Sequence, residues 1–229
     1  MATFAISRLR AAESQDLYPA LKSYLMERAA EFNQIPAERK TQIKKVATYI
    51  QVQRKADKPV RLIFICTHNS RRSHMSQIWA STAAQFYGIE QVETFSGGTE
   101  ATAFNSRAID AMERAGLKID KIDDGKNPHY SVKFNDSTKP LECFSKKYSE
   151  SPNPKTNFCA VMTCSQADAS CPVIEGASLR VAISYEDPKL SDGKPEEFKS
   201  YDERCRQISR EMLYLFSQVG NKAMGRDKR

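Results

Sequence analysis

Cys66-Thr-His-Asn-Ser-Arg-Arg72-Ser73 places a thiol six residues before an arginine, with a hydroxyl directly after it. Between a strand and a helix, such a run can turn its backbone N–H groups onto a tetrahedral anion, and the helix N-terminus adds positive potential. Arg72 would close the cradle with a planar fork of donors. The same field favours the thiolate at Cys66, the form that attacks, and Ser73 can donate a hydrogen bond to it. Asn69 can bond within the loop and tolerates a left-handed backbone. An oxyanion cradle is therefore expected from Thr67, His68, Asn69, Ser70, Arg71, Arg72 and Ser73. Cys-x5-Arg alone also arises by chance, and the competing reading is a buried cysteine beside two solvated arginines. The strand before and the helix after favour the cradle.

Two more segments carry reactive groups. Cys164 follows directly on the apolar run Phe158–Thr163, and Asp187 follows shortly on Leu179–Ile183. In open parallel sheets ligands gather at the carboxyl ends of the strands, so Cys66, Cys164 and Asp187 are expected on one edge. Asp187, before Pro188, is either a general acid or an Asp-Pro turn, with Glu186 as the fallback acid. Cys164 and Cys171 bracket Ser165-Gln-Ala-Asp-Ala-Ser170. A zinc site with Cys159 would lack the short Cys-x2-Cys pairs typical of such sites. Burial as inert thiols suits Cys159 and Cys205, on a strand and on an apolar helix face; the polar neighbours of Cys164 and Cys171 argue against it there.

The elements that must hold these groups follow from apolar spacing. Arg61-Leu-Ile-Phe-Ile-Cys66 reads as a buried parallel strand. Met75, Trp79, Ala83 and Phe86 form a helical stripe that stops before Gly88. Val92–Phe95 is a second strand, stopped by Gly97-Gly98. Asn105 caps a helix carrying Ile109 and Met112, ended by Gly116. A loop-rich insertion is expected at 118–155, with a small hairpin around Tyr130–Phe134 and Leu141–Phe144. Strands at 158–163 and 179–183 resume the sheet. Tyr201, Cys205, Ile208, Met212 and Phe216 mark the last helix. The β-α-β-α order implies a parallel sheet with right-handed crossovers.

Ahead of that domain, Leu17, Leu21, Leu25, Ala29 and Phe32 share a helical face, as do Ile43, Ala47 and Ile50, with Ile35-Pro36 between them. The division expected is a helical hairpin extension over 1–58, an α/β domain over 59–220 and a frayed tail over 221–229.

Bulk properties set the compartment. The 229 residues are 40% hydrophobic, with six cysteines and a formal net charge of +7. Met1 to Arg8 lack a signal-peptide core, and no apolar run approaches the length of a membrane span. A cytoplasmic protein with reduced thiols is expected, with no membrane partner. The positive charge suits an anion, but no dense Arg/Lys run or aromatic-basic stripe argues for nucleic acid.

Phe64-Ile-Cys-Thr-His-Asn-Ser-Arg-Arg-Ser-His-Met75 resembles the phosphate loop of the low-molecular-weight tyrosine phosphatases and, more closely, of the thioredoxin-coupled arsenate reductases. Ser96-Gly-Gly-Thr-Glu-Ala-Thr-Ala-Phe-Asn105, the Cys164/Cys171 region and Glu186-Asp-Pro188 resemble those reductases too. The resemblance covers about 60–216 without the insertion or the N-terminal helices. It implies a doubly wound, four-stranded parallel sheet flanked by helices, with Cys66 as nucleophile, Arg72 as anion clamp and Asp187 as general acid. It makes Cys164 and Cys171 the second and third cysteines of a thiol relay, with no bound cofactor and with thioredoxin as electron donor. The substrate implied is arsenate; the alternatives are phosphotyrosine on a protein, or a non-catalytic oxyanion sensor. Arg71 stands where these families usually have another cysteine, and His68 replaces a usual glycine. Lys189-Leu190 stands where the phosphatases often carry a tyrosine pair. The acidic ligand of the potassium site in some relatives has no match.

Overall fold

A computed structural model describes residues 16–220. The opening residues Met1 to Arg8 and the tail 221–229, both assigned above, lie outside that range. Helix α1 (Pro19–Ala30) and helix α2 (Ala37–Lys55) are joined by a 3-10 turn at Phe32–Gln34. Strand β1 (Val60–Cys66), helix α3 (Arg72–Phe86), strand β2 (Val92–Gly98) and helix α4 (Ser106–Arg114) follow. Then come short strands β3 (Lys118–Lys121), β4 (Tyr130–Lys133) and β5 (Leu141–Cys143). Strand β6 (Phe158–Met162), helix α5 (Ser165–Ser170), strand β7 (Ala177–Ala182) and helix α6 (Glu197–Gly220) complete the chain.

The main sheet has the order β2-β1-β6-β7, with all pairs parallel. Strand β1 lies inside it, and Leu62, Ile63, Phe64 and Ile65 are all fully buried. Its side chains alternate between two cores, as the pleat requires. Leu62 and Phe64 join the helices on one face, while Ile63 and Ile65 join Phe158, Ala160 and Met162 on the other. Burying each such side chain contributes roughly 1.5–3 kcal/mol, so a continuous apolar run suits a strand covered on both faces.

Strand β2 runs on through Gly97 and Gly98 instead of stopping before them. The glycines serve close approach: a Cβ on Gly98 would stand 2.1 Å from the Glu100 carbonyl oxygen and 2.7 Å from that of Thr67. The 118–155 segment is also more ordered than its composition suggests. Strands β3, β4 and β5 form an antiparallel sheet, one strand more than the hairpin. Lys118-Ile-Asp-Lys121 has one apolar residue, Ile119, so it carries no recognisable strand period; pairing with Val132 settles it.

The first two helices pack against α6. Leu21, Leu25, Ile43, Val46 and Ile50 are fully buried there. Glu31 accepts from Arg28 at 2.9 Å and from Arg206 at 2.7 Å, and lies 3.5 Å from Arg210. Burial opposes the charge on Glu31, but the hydrogen bonds from Arg206 and Arg28 outweigh it and hold its carboxyl below the usual range.

Candidate active site

The loop after β1 is shaped by where its carbonyls go. Cys66 O accepts from Thr99 N at 3.1 Å, Thr67 O from Glu100 N at 2.8 Å and Ser70 O from Asn105 N at 3.0 Å. His68 O accepts from the Thr102 hydroxyl at 2.9 Å and from Ser145 Oγ at 3.2 Å. In a trans peptide the next N–H points opposite the carbonyl. With the carbonyls drawn onto 99–105 and Ser145, the N–H groups of Thr67, His68, Asn69 and Arg71 are turned the other way. Backbone donors turned alike at the start of α3 are able to bind an oxyanion.

Asn69 holds this shape. Its φ is 43°, its Nδ2 donates to Ser73 Oγ at 2.8 Å, and its Oδ1 accepts from Lys146 N at 2.9 Å. Ser73 Oγ stands 3.1 Å from Cys66 Sγ. Ser73 Oγ accepts from Asn69 through one lone pair, and its own proton can be donated to the sulfur.

Arg72 donates Nη1 to Tyr185 O at 3.0 Å and Nη2 to Asp187 Oδ2 at 2.7 Å. Arg71 donates Nε to the Tyr201 hydroxyl at 3.1 Å, and its Nη1 lies 3.6 Å from Asp187 Oδ1. Asp187 also accepts from Lys189 N at 3.1 Å. Asp187, which follows strand β7, thus meets Arg72, which follows the loop that begins at Cys66. Glu186, the fallback acid, lies 3.5 Å from Arg204 with its side chain 88% exposed. His68 lies 3.7 Å from Glu100.

Cys164 caps α5, its Sγ accepting from Ala167 N at 3.4 Å, and lies 3.5 Å from Thr67 Oγ1. Contrary to the expectation from its polar neighbours, Cys164 is fully buried. Ser165 and Gln166 face solvent because α5 lies on the surface, while Cys164 points into the apolar cluster holding Cys66. Cys171, half-buried, packs against the same cluster. Arg180 grips the far end of α5. It donates to Asp168 O at 2.7 Å, to the Asp168 carboxylate at 2.6 Å and to Cys171 O at 3.1 Å.

The other thiols are placed differently. Cys159 faces the opposite core from Cys164, which separates the cysteines of the zinc alternative. Burial pushes Cys143 and Cys205 up to about 12 and raises Cys159 as well, so these three stay protonated.

His74 and His129 both have polar partners. His74 Nδ1 lies 3.2 Å from Ser96 Oγ and its ring stacks on Phe104; His129 lies 2.6 Å from Glu142 and stacks on Phe144. Sequence reasoning also missed Tyr185, Tyr201, Lys146 and Arg180. Only Tyr185, next to Glu186-Asp187, carried any signal. Among the described residues, no helix is long and apolar enough to cross a membrane.

The family model described as low molecular weight phosphotyrosine protein phosphatase matches residues 61–128. An arsenate reductase of Bacillus licheniformis is 28% identical over 160 residues, covering 69% of this chain and 96% of that protein. An arsenate reductase of Bacillus subtilis is 26% identical over 159 residues, again 69% and 96%. A low-molecular-weight phosphotyrosine phosphatase from Vibrio cholerae O395 superposes with a TM-score of 0.47 at 14% identity, over 72% of this chain and 99% of that one. The chain is an enzyme, similar over residues 61–128 to the low-molecular-weight phosphatases and over nearly the whole length of these relatives to arsenate reductases.

Proposed function

We propose that the protein reduces arsenate to arsenite. Arsenate sits in the loop formed by Thr67 to Ser73, held by backbone N–H groups and the Arg72 fork. Cys66 attacks arsenic, Asp187 supplies the proton that lets one oxygen leave as water, and a thiol–arsenic bond forms. Cys164 then attacks Cys66 Sγ. The sulfur–arsenic bond breaks, its electron pair reduces As(V) to As(III), and arsenite leaves behind a Cys66–Cys164 disulfide. Cys171 attacks Cys164, which frees Cys66 and leaves a Cys164–Cys171 disulfide for the thioredoxin dithiol to reduce. The observation that carries this reading is the shared cluster of Cys66, Cys164 and Cys171, with Cys164 Sγ 3.5 Å from Thr67 of the loop. A phosphatase needs neither of the last two thiols.

The second reading is hydrolysis of phosphotyrosine through a Cys66 phosphocysteine, supported by the family model over the loop and by Asp187 beside Arg72. Against it, Leu190, 74% exposed, takes a place where an aromatic wall would grip the substrate ring. Arsenate-dependent thioredoxin oxidation and aryl-phosphate hydrolysis, measured on one preparation, separate the two. Reductase turnover that requires Cys171 is the expected result; aryl-phosphate turnover without arsenate-dependent oxidation gives the site to the phosphatase reading.

A further inference from the structure

Residues 184–187 carry Asp187 and the carbonyl that Arg72 uses, yet they belong to no helix or strand. Such a segment stays in place only where something rigid tethers it. Arg39, on α2, is that tether. It donates Nη2 to Ser184 O at 2.6 Å. Its guanidinium carbon lies 5.2 Å from the Tyr185 ring centroid, and its Nε lies 3.7 Å from Glu211 Oε2.

Glu211, on α6, is buried, and the same Oε2 accepts from the Tyr185 hydroxyl at 2.9 Å. Tyr185 also donates its N–H to Thr163 O at 3.0 Å. Ring, hydroxyl and amide of Tyr185 are therefore all fixed, and its carbonyl is left to Arg72 Nη1. Burial, and then the Glu211 charge, raise the Tyr185 phenol well above its ordinary value, so it remains a donor. Two residues on, Asp187 takes the other nitrogen of Arg72. The contacts run without a break from α2 to the anion loop.

We propose that Arg39 is a positioning residue for the chemistry at Cys66, fixing residues 184–187 so that Arg72 and Asp187 keep their places at the anion loop. This rests on the oxyanion reading of the loop and adds a task for the N-terminal helices. Arg39 lies ahead of the residues that the family model matches, so the tether comes from outside the matched region. Displacing catalytic groups by about 1 Å can cost on the order of a hundredfold in rate.

The test uses full-length Arg39→Ala, Arg39→Lys and the double variant Arg39→Ala/Glu211→Gln, which leaves no unpaired buried carboxylate. Two quantities are read: hydrolysis of p-nitrophenyl and phenyl phosphate, and amide exchange across 183–189. In Arg39→Ala and the double variant, kcat falls about 10- to 100-fold while KM moves little. The loss is larger for phenyl phosphate, whose poorer leaving group depends more on the proton from Asp187. Exchange rises in 183–189 and not in β1, and Arg39→Lys recovers part of both. A general loss of folded protein would instead lower both substrates equally and spread exchange over β1 and β6, and that pattern overturns the proposal. Unchanged exchange at 183–189 overturns it too, whether or not the wild-type protein turns over. A wild type that handles neither aryl phosphate nor arsenate sinks the oxyanion reading separately.

Discussion

Arg72 and Asp187 form a 2.7 Å ion pair in which the second guanidinium nitrogen of Arg72 is held by the Tyr185 carbonyl. The guanidinium is thus aligned before any anion arrives, and Asp187 is kept within reach of the same loop. A lysine at this position keeps the charge but presents one point donor instead of a fork. Arg72→Lys is expected to lower kcat/KM by about 10²–10³, the usual cost of losing an aligned oxyanion donor. Steady-state kinetics with arsenate and with p-nitrophenyl phosphate check this; near-wild-type values would make Arg72 a structural ion-pair partner and nothing more.

Cys66→Ser should reduce both arsenate reduction and aryl-phosphate hydrolysis to background. The hydroxyl fits the space beside Ser73, so the fold is retained, but serine without an adjacent base is a poor nucleophile. Circular dichroism would establish the fold, and substantial turnover by the folded variant would remove Cys66 from the mechanism.

The parts of this site that were legible in the sequence are local ones. The apolar run into Cys66, the Asn105 cap and the Gly116 stop are patterns within a few residues, and the strand ends follow from them. The residues that brace the site pair across the chain. Arg39 meets Ser184 at a separation of 145, and Lys146 meets Asn69 at 77. An arginine such as Arg39 on a lysine-rich helix looks like a solvated face until its partner is known. Cys164 misled for a related reason: its neighbours are polar because α5 has a wet side, and the direction of one cap residue is not written in composition.

Buried His74 gives the fold a pH dependence. Burial, and then the Lys146 ammonium, hold its imidazole well below the usual 6.5. In the unfolded chain it takes a proton near 6.5, and in the fold it does not. Below that pH the unfolded state binds more protons, so stability falls as pH drops, by up to about 1.4 kcal/mol per pH unit until the folded value is reached. Above 6.5 this contribution is fully present. Urea unfolding at pH 7, 6 and 5 should show the decline, and His74→Gln should flatten it. An unchanged slope in His74→Gln would assign the decline to other groups.

Cys164 and Cys171 stand at opposite ends of α5, seven residues apart. At about 1.5 Å per residue a helix separates such positions by roughly 10 Å along its axis. A disulfide needs its Cα atoms within roughly 7 Å, so α5 must open before the two sulfurs can join. The bonds to be broken are Asp168 N to Cys164 O, Cys171 N to Ala167 O, and the three donations from Arg180. Oxidation to Cys164–Cys171 is therefore expected to raise hydrogen exchange across 164–171 while β1 and β6 stay protected. Arg180→Ala should raise exchange over the same residues in the reduced protein, because three of these five bonds are already gone. Cys171→Ser should complete one arsenate turnover and stop, with a Cys66–Cys164 disulfide recoverable by peptide mapping. Continued cycling of Cys171→Ser with thioredoxin at the wild-type rate would mean that no third thiol takes part, and the phosphatase reading of Cys66 would then take precedence.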